Sequence, residues 1–340
     1  MPQGNGIGTL IVGAKAVKSA FGMKAAIGVV EEMLRRGATE IQSQPARSVL
    51  KVGQDSFILT MPAYSSNLGR CAVKIVTEFK KNPEKNNLPV QGGSILLIDC
   101  DNSRVLAMLD SPTVTEVRTG ALTGLATRIL SRPESCKVGV VGSGKEARTH
   151  LEAVCAVRRI KEARVASKNL SHAKQFAEEM SQKLEIGVDA VGTPREAARG
   201  ADVVIAATSA ATPVLSSVDI SDGCHLNSIG TLPNRRELSS DLISRASVFV
   251  DTRAGVLKEA GDVMQAVKEG KFSDAMIKAD LAELVLSKRP GRSSSSEVTL
   301  FKSVGFALAD VYSASYIYDK ILQNKQRWGD LGVVEMPSVS

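Results

Sequence analysis

Aromatic residues are scarce in this chain: one Trp, four Tyr and eight Phe make up 4% of its 340 residues. Few rings are therefore available for the stacking platforms on which single-stranded nucleic acids lie. The formal charge of +7 does not restore that reading, because the basic residues are scattered and no run of them alternates with aromatics. A positive excess of this kind suits small anionic molecules better. Histidine is scarcer still, limited to His150, His172 and His225, so a histidine-built metal centre has little to draw on. Cys224 and His225 are adjacent, but consecutive strand residues point to opposite faces. The five cysteines (Cys71, Cys100, Cys136, Cys155 and Cys224) are odd in number and have no CxxC spacing. They point to reduced thiols and a cytoplasmic location rather than a disulfide framework. No apolar run reaches the ~20 residues that span a bilayer. The apolar stretch from Gly8 to Val30 is broken by Lys15, Lys18 and Lys24 and shows no signal-cleavage pattern. Nucleic acid, membrane and metal are thus unexpected partners.

What the chain does have is a change of rhythm. After a helical stretch ending near "VVEEMLRRGA", β-type runs follow one another: "SFILTM" (56–61), "CAVKIVT" (71–77), "SILLID" (94–99) and "RVLAML" (104–109). Linkers rich in Gly, Pro, Asn and Ser separate them, "KKNPEKNNLPVQGG" among them. Without helices between the strands, a mixed or antiparallel sheet or barrel is expected rather than βαβ units. From Lys137 strands and helices alternate: "KVGVVG", "KEARTHLEAVCAV", "EARVAS", "LSHAKQFAEEMSQKL" with Ser171 placed to cap it, and "GVDAV". "TPREAARG" follows, with Thr193 as N-cap and Pro194 at the first helical position. "ADVVIAAT", "HLNSIG" and "SVFVD" complete a set of apolar strands. Such alternation predicts a parallel, doubly wound sheet covered on both faces, so the fold class is α/β. "SKRPGRSSSS" reads as a solvated loop, and residues 299–322 carry apolar positions at helical spacing, Phe301, Val304, Leu308, Val311 and Tyr312.

Gly142, Gly144 and Ala147 form G-x-G-x-x-A directly after the first strand of the alternating region and at the start of a helix. In that setting the pattern marks a dinucleotide-binding turn of Rossmann type. The first glycine permits the tight turn, the second lets backbone approach a pyrophosphate, and the small third residue packs helix on strand. Where an NAD site usually carries an acid for the ribose hydroxyls, this chain has Ser167, Lys168 and Asn169. A hydroxyl, an ammonium and an amide suit a 2′-phosphate, so NADP(H) is favoured over NAD(H).

Three cations precede the turn in unusual places. Lys74 lies mid-strand on the face of Ala72 and Val76, where it must snorkel, pair or face a cavity. Arg47 leads into a β-type run, and Arg118 stands just inside a helix that Thr115 is placed to cap.

With these residues in view, the chain resembles the ornithine cyclodeaminase/mu-crystallin family. The resemblance rests on "QPARSVL", "MPAYS" with "VKIVT", "TEVRTGALTGLAT", "VVGSGKEA", "GADVVIAATSAATPVL", "VLKEAGDV" and "VTLFKSVGFALAD", in the family's order over essentially the whole length. It implies a homodimer with a substrate and dimerisation domain of α+β type over 1–120, completed by a C-terminal helix in 306–340, and a Rossmann domain over 121–305. It implies Arg47 and Arg118 on a substrate carboxylate, through the planar fork that suits bidentate pairing. Lys74 would touch the substrate and move the proton, with its pKa lowered by burial and the neighbouring arginines. Arg235 and Ser303 would also reach substrate. The cofactor would lie against Arg118, Thr119, Gly142, Ser143, Gly144, Lys145, Glu146, Ala147, Ser167, Lys168, Asn169, Thr208 and Ser209. Ser228, Ile229, Gly230, Thr231 and Lys302 would continue that surface to the nicotinamide.

The chain departs from the family's cyclodeaminases at one place. Those carry an Asp in a G-D-x-P-G-K-x-E-L segment, whereas this sequence reads "NSIGTLPNRREL", with no carboxylate between Asn227 and Arg236. Arg235 stands where a substrate-contacting lysine is found. The expected activity is accordingly NAD(P)H-dependent oxidoreduction of a small amino or imino acid, of alanine dehydrogenase or ketimine reductase type. A cyclodeaminase-type ammonia lyase using bound NAD is the alternative, and a non-catalytic, crystallin-like NADP-binding protein a third reading.

Overall fold

The computed structural model describes residues 8–37, 42–54, 56–323 and 328–336. The chain forms two compact units, one from residues 1–118 with 306–340 and one from 119–305.

The first unit opens with β1 (Thr9–Val12), α1 (Ala14–Ala20) and α2 (Met23–Arg36), then β2 (Gln42–Ser43) and β3 (Ser48–Gly53). A meander follows: β4 (Ser56–Ser65), β5 (Arg70–Phe79), the short α3 (Asn82–Asn86), β6 (Gln91–Asp99) and β7 (Val105–Asp110). Helix α4 (Ser111–Leu130) carries the chain out of the unit, and α12 (Leu308–Leu322) and β16 (Val333–Met336) bring it back. Strands β4 to β7 pair antiparallel in sequence order, as the lack of intervening helical patterns implies. β1 joins β7 in parallel, so the sheet is mixed.

Alternation sorts this sheet into two faces. Met61, Ala63, Ser65, Ala72, Lys74, Ile95 and Leu97 are buried, and α12 packs on β4, β5 and β6. Pro62, Tyr64, Val73, Ile75, Leu96 and Ile98 point the other way and are only half-buried. Helix α12 is buried almost all round, with Leu308, Val311, Tyr312, Ala314, Ile317 and Ile321 in its core face.

The second unit contains β8 (Lys137–Val141), α5 (Lys145–Val157), β9 (Glu162–Ala166), α6 (Leu170–Leu184), β10 (Gly187–Val191), α7 (Pro194–Ala198), β11 (Val203–Ala206) and β12 (His225–Ser228). It continues through α8 (Ser240–Arg245), β13 (Ser247–Val250), α9 (Arg253–Glu259), α10 (Gly261–Lys268), β14 (Ile277–Asp280), α11 (Leu281–Val285) and β15 (Thr299–Lys302). These strands form one parallel sheet in the order β10-β9-β8-β11-β12-β15-β13-β14. The expected α/β doubly wound architecture is therefore present. Its two faces bury separate cores: Val138, Val140, Val203 and Ile205 with Leu151 and Phe176 on one side, Val204, Leu226, Val248 and Leu300 with Leu242 and Val263 on the other. From β8 the chain steps out to β9 and β10 and then crosses back to β11 on the other side of β8, which makes the C-terminal ends of these strands the switch point where such sheets bind ligands.

Four local expectations need correction. Residues 299–302 belong to no helix: Thr299–Lys302 is the buried strand β15, and Gly305 at φ +70° turns the chain before α12 starts at Leu308. Thr115 does not cap the helix bearing Arg118. That helix starts at Ser111, Asp110 Oδ1 accepts from Thr113 N at 2.9 Å, and Thr115 Oγ1 donates back to Ser111 O. Helix α6 is capped by Asn169, whose Oδ1 accepts from Ser171 N at 2.9 Å, because Ser171 already lies inside the helix. The "SKRPGRSSSS" loop is anchored rather than merely solvated, since Arg292 donates to Leu130 O and Thr299 Oγ1. Thr193 does cap α7, in a reciprocal arrangement with Glu196 and with Pro194 following. Among the described residues no helix is long and apolar enough to cross a membrane.

Close packing of α7 on β8 depends on Gly139, where a Cβ would lie 2.4 Å from Ala197 O, a backbone atom with little freedom to retreat. Gly139→Ala should cost about 1–3 kcal/mol, the usual range for overpacking a core, measured as a lowered denaturant midpoint of the second unit.

Candidate functional site

The expected site residues gather in two constellations, one in each unit. In the second unit the glycine turn leaves β8 with Gly142 at φ +111°, a conformation L-residues avoid. A Cβ there would also lie 2.2 Å from Ala207 O. Gly144 is the N-cap of α5 and supplies no side-chain hydrogen bond, and a Cβ built on it would meet nothing within 4 Å. Among the described residues no side-chain hydrogen bond caps this thirteen-residue helix, and the space beside its N-cap Cα is open. That is the donor arrangement a pyrophosphate needs, so the residues present fit a dinucleotide. Ala147 is fully buried at the strand–helix contact. Lys145 is exposed at the helix start, and Glu146 lies 3.2 Å from His150 Nε2.

Beside the turn, Ser143 Oγ donates to Ser167 Oγ at 2.8 Å, which brings the ends of β8 and β9 together. Lys168 is exposed there, while Asn169 is committed to capping α6. On the other side of β8, Thr208 and Ser209 follow β11, Ser228 ends β12, and Ile229 and Gly230 follow it. Thr231 and Arg235 are half-buried in the loop beyond. Lys302 ends β15 fully buried, its Nζ donating to Ser228 Oγ and Asp262 Oδ2, both at 2.8 Å. Ser303 Oγ donates to Asp251 Oδ2 at 2.9 Å, and the same oxygen accepts from the backbone of Val304 and Gly305. Thr119 is buried on α4.

In the first unit, Lys74 and Arg118 meet around Asp310. Asp310 Oδ1 accepts from Arg118 Nε at 3.1 Å and from Lys74 Nζ at 3.4 Å. All three are buried, at 3%, 2% and 1% exposure for Arg118, Lys74 and Asp310. Arg118 Nη1 and Asp310 Oδ2 have no partner among the described residues. An unmet guanidinium donor in a buried site is an opening for a bidentate anion. Burial pushes the Lys74 ammonium from its ordinary 10.5 down to about 8; the Arg118 charge acts the same way, the Asp310 carboxylate opposes both, and the half-buried Arg47 adds a smaller downward push.

Sequence reading missed Asp310, Asp262, Asp251 and Glu237, all buried carboxylates. The signal for Asp310 lay in "GFALADVY", where an acid occupies a position that helical periodicity reserves for an apolar residue. Glu237 had no comparable signal, since it follows two arginines and looks solvated.

The sequence profile of the ornithine cyclodeaminase/mu-crystallin family matches residues 8–325. The chain is 34% identical to the ketimine reductase mu-crystallin of Rattus norvegicus over 278 residues, covering 81% of this chain and 84% of that protein. Among solved structures it is similar to the Delta(1)-pyrroline-2-carboxylate reductase of Thermococcus litoralis in complex with NADH and L-proline, with a TM-score of 0.90, 38% identity, and coverage of 93% and 98% of the two chains. It is also similar to an archaeal alanine dehydrogenase dimer with bound NAD, with a TM-score of 0.87, 29% identity, and coverage of 93% and 97%.

The Lys74–Asp310–Arg118 cluster has a pH signature. Because the fold holds the Lys74 proton less tightly than the unfolded chain, this group's contribution to stability rises with pH from about 8 to 10.5. Asp310→Asn removes the one influence that raises the lysine's pKa, so the variant's lysine should titrate below about 8. A buried cation without its anion costs about 3–5 kcal/mol, whereas the neutral amine needs no anion. The stability lost in Asp310→Asn should therefore be larger at pH 6 than at pH 9, as read from urea unfolding at the two pH values.

Proposed function

The chain belongs to the ornithine cyclodeaminase/mu-crystallin family, and from that premise we propose that it is a nicotinamide-dependent reductase of small imino acids whose C=N bond lies next to a carboxylate. The observation that carries this reading is the buried cluster of the first unit. Two buried cations, Lys74 and Arg118, share one oxygen of one anion, Asp310, and a guanidinium nitrogen of Arg118 has no partner among the described residues. A substrate carboxylate supplies the missing negative charge and accepts from Arg118.

Lys74 then has a proton to give. With its pKa near 8 it is mostly protonated at neutral pH yet yields the proton more readily than a surface lysine does. Its Nζ donates to the imine nitrogen as that nitrogen becomes an amine. When bound, the dinucleotide supplies the hydride that adds to the imine carbon. The exposed ammonium of Lys168, the paired hydroxyls of Ser143 and Ser167, and the lack of an acid at the end of β9 support NADP(H) as that dinucleotide. In the first unit, the outer sheet face bearing Tyr64, Val73, Ile75, Leu96 and Ile98 adjoins β3, where Leu50 is 62% exposed. The apolar side chains on that face support a homodimer formed through it.

Incubated with a cyclic 2-carboxy-imine, the protein should consume NADPH in equal amount, followed at the nicotinamide absorbance. Release of ammonia from ornithine with no net cofactor change would instead mark a lyase. The rate of imine reduction should fall above about pH 8, as Lys74 loses its proton. Lys74→Ala should lower the rate about 10²–10⁴-fold, the range for losing a positioned general acid. Lys168→Asp should raise KM for NADPH about tenfold or more, as losing a charge-assisted bond does, and leave KM for NADH unchanged or lower.

A further inference from the structure

Glu237 has no role in the chemistry above, yet it is fully buried and gathers more polar groups than any functional residue there. Its Oε1 accepts from Thr208 N at 2.6 Å. Its Oε2 accepts from Ser228 Oγ at 2.7 Å, Ile229 N at 3.0 Å and Gly230 N at 2.7 Å. The four donors come from the C-terminal ends of two adjacent parallel strands, β11 and β12. Lys302 reaches the group from the end of β15, through Ser228 Oγ and with its Nζ 4.0 Å from Glu237 Oε2; Asp262, in the first turn of α10, takes its other contact.

The surrounding backbone is shaped to admit this carboxylate. A Cβ at Gly230 would lie 2.9 Å from Glu237 Cγ and Cδ. At Gly261 a Cβ would lie 2.4 Å from Arg235 O and 2.5 Å from Pro233 O, so the loop that carries Glu237 rests directly on the start of α10. Within that loop Leu232 is held at φ +89°, a backbone that a bulky residue adopts only when its surroundings over-determine it. All of Glu237's partners are donors, so an amide in its place would turn N–H groups against N–H groups.

A dinucleotide lies across the switch point of such a sheet, with its adenosine ribose at the end of the second strand, here β9 with Ser167. The other half then lies over the ends of β11 and β12, the two strand ends that Glu237 joins. Resting on the reading of this crevice as the dinucleotide site, we infer that Glu237 is the positioning residue for the nicotinamide half of the cofactor. It fixes the loops after β11 and β12 against one another, whereas the glycine turn after β8 receives no bond from it.

The experiment compares wild type with Glu237→Gln in binding NADPH, NADH, and the truncated ligands 2′-phospho-ADP-ribose and ADP-ribose, which lack nicotinamide. For whichever dinucleotide wild type binds, the variant should raise Kd about tenfold or more, while the Kd of the matching truncated ligand stays within about twofold. Amide exchange at Thr208, Ile229 and Gly230 should quicken in the variant, with the glycine turn unaffected. Equal weakening of dinucleotide and truncated ligand, or of neither, overturns the inference, because a merely structural glutamate does not separate the two halves. Should Glu237→Gln fail to fold, Ser228→Ala removes one of the same bonds and should give the same selective loss to a smaller degree, with equal loss again overturning it. Wild type that binds neither dinucleotide overturns the crevice reading, and the inference with it.

Discussion

A charge taken out of water has to be met by its opposite, and in the first unit one carboxylate meets two cations at once. Asp310 lends a single oxygen to both Arg118 and Lys74, and none of the three has significant access to solvent. Among the described residues the pairing leaves a remainder on each side: a second carboxylate oxygen with no donor and a guanidinium nitrogen with no acceptor. That imbalance costs stability, and a small carboxylate is the kind of group whose charge would offset it. It also sets the state of Lys74. Burial and two arginines drive the proton off, Asp310 holds it on, and the outcome near 8 lies within reach of the ambient pH.

The second unit applies buried carboxylates differently. A parallel sheet covered on both faces leaves only its strand ends for polar groups. There Glu237 and Asp251 are met largely by backbone N–H groups and hydroxyls rather than by cations. Such acids fix the course of loops without supplying net positive charge to a ligand. Asp262 is the intermediate case, paired with an ammonium that is itself shared with Ser228. One unit thus keeps an unbalanced buried charge, while the other balances its charges to hold strand ends in place.

Much of this was legible in the sequence because it was local. The glycine turn has its meaning within six residues, and strand–helix alternation is a local period. Lys74 stood out because a lysine breaks the alternation of a half-buried strand. What stayed hidden depends on partners far along the chain. Asp310 pairs with Lys74 across 236 residues, and nothing near either residue names the other. Glu237 reads as a surface acid beside two arginines until the loop folds back over Gly230. The strand β15 looks helical because Phe301 and Val304 fit the apolar spacing of the helix that follows, and the break is a single glycine at positive φ. Asn169 took the cap from Ser171 because helix boundaries shift by a residue or two with side-chain reach.

The return of the chain to its first unit through α12 orders events in time. A ribosome adds about 5–20 residues per second, so roughly ten to fifty seconds pass between the appearance of Lys74 and that of Asp310. Throughout that interval the inner face of the meander lacks the helix that covers it, and the lysine on that face lacks its anion. A lysine on an open sheet, washed by water, is an ordinary base. The nascent protein therefore carries this lysine in an unspecialised form, and the emergence of α12 converts it.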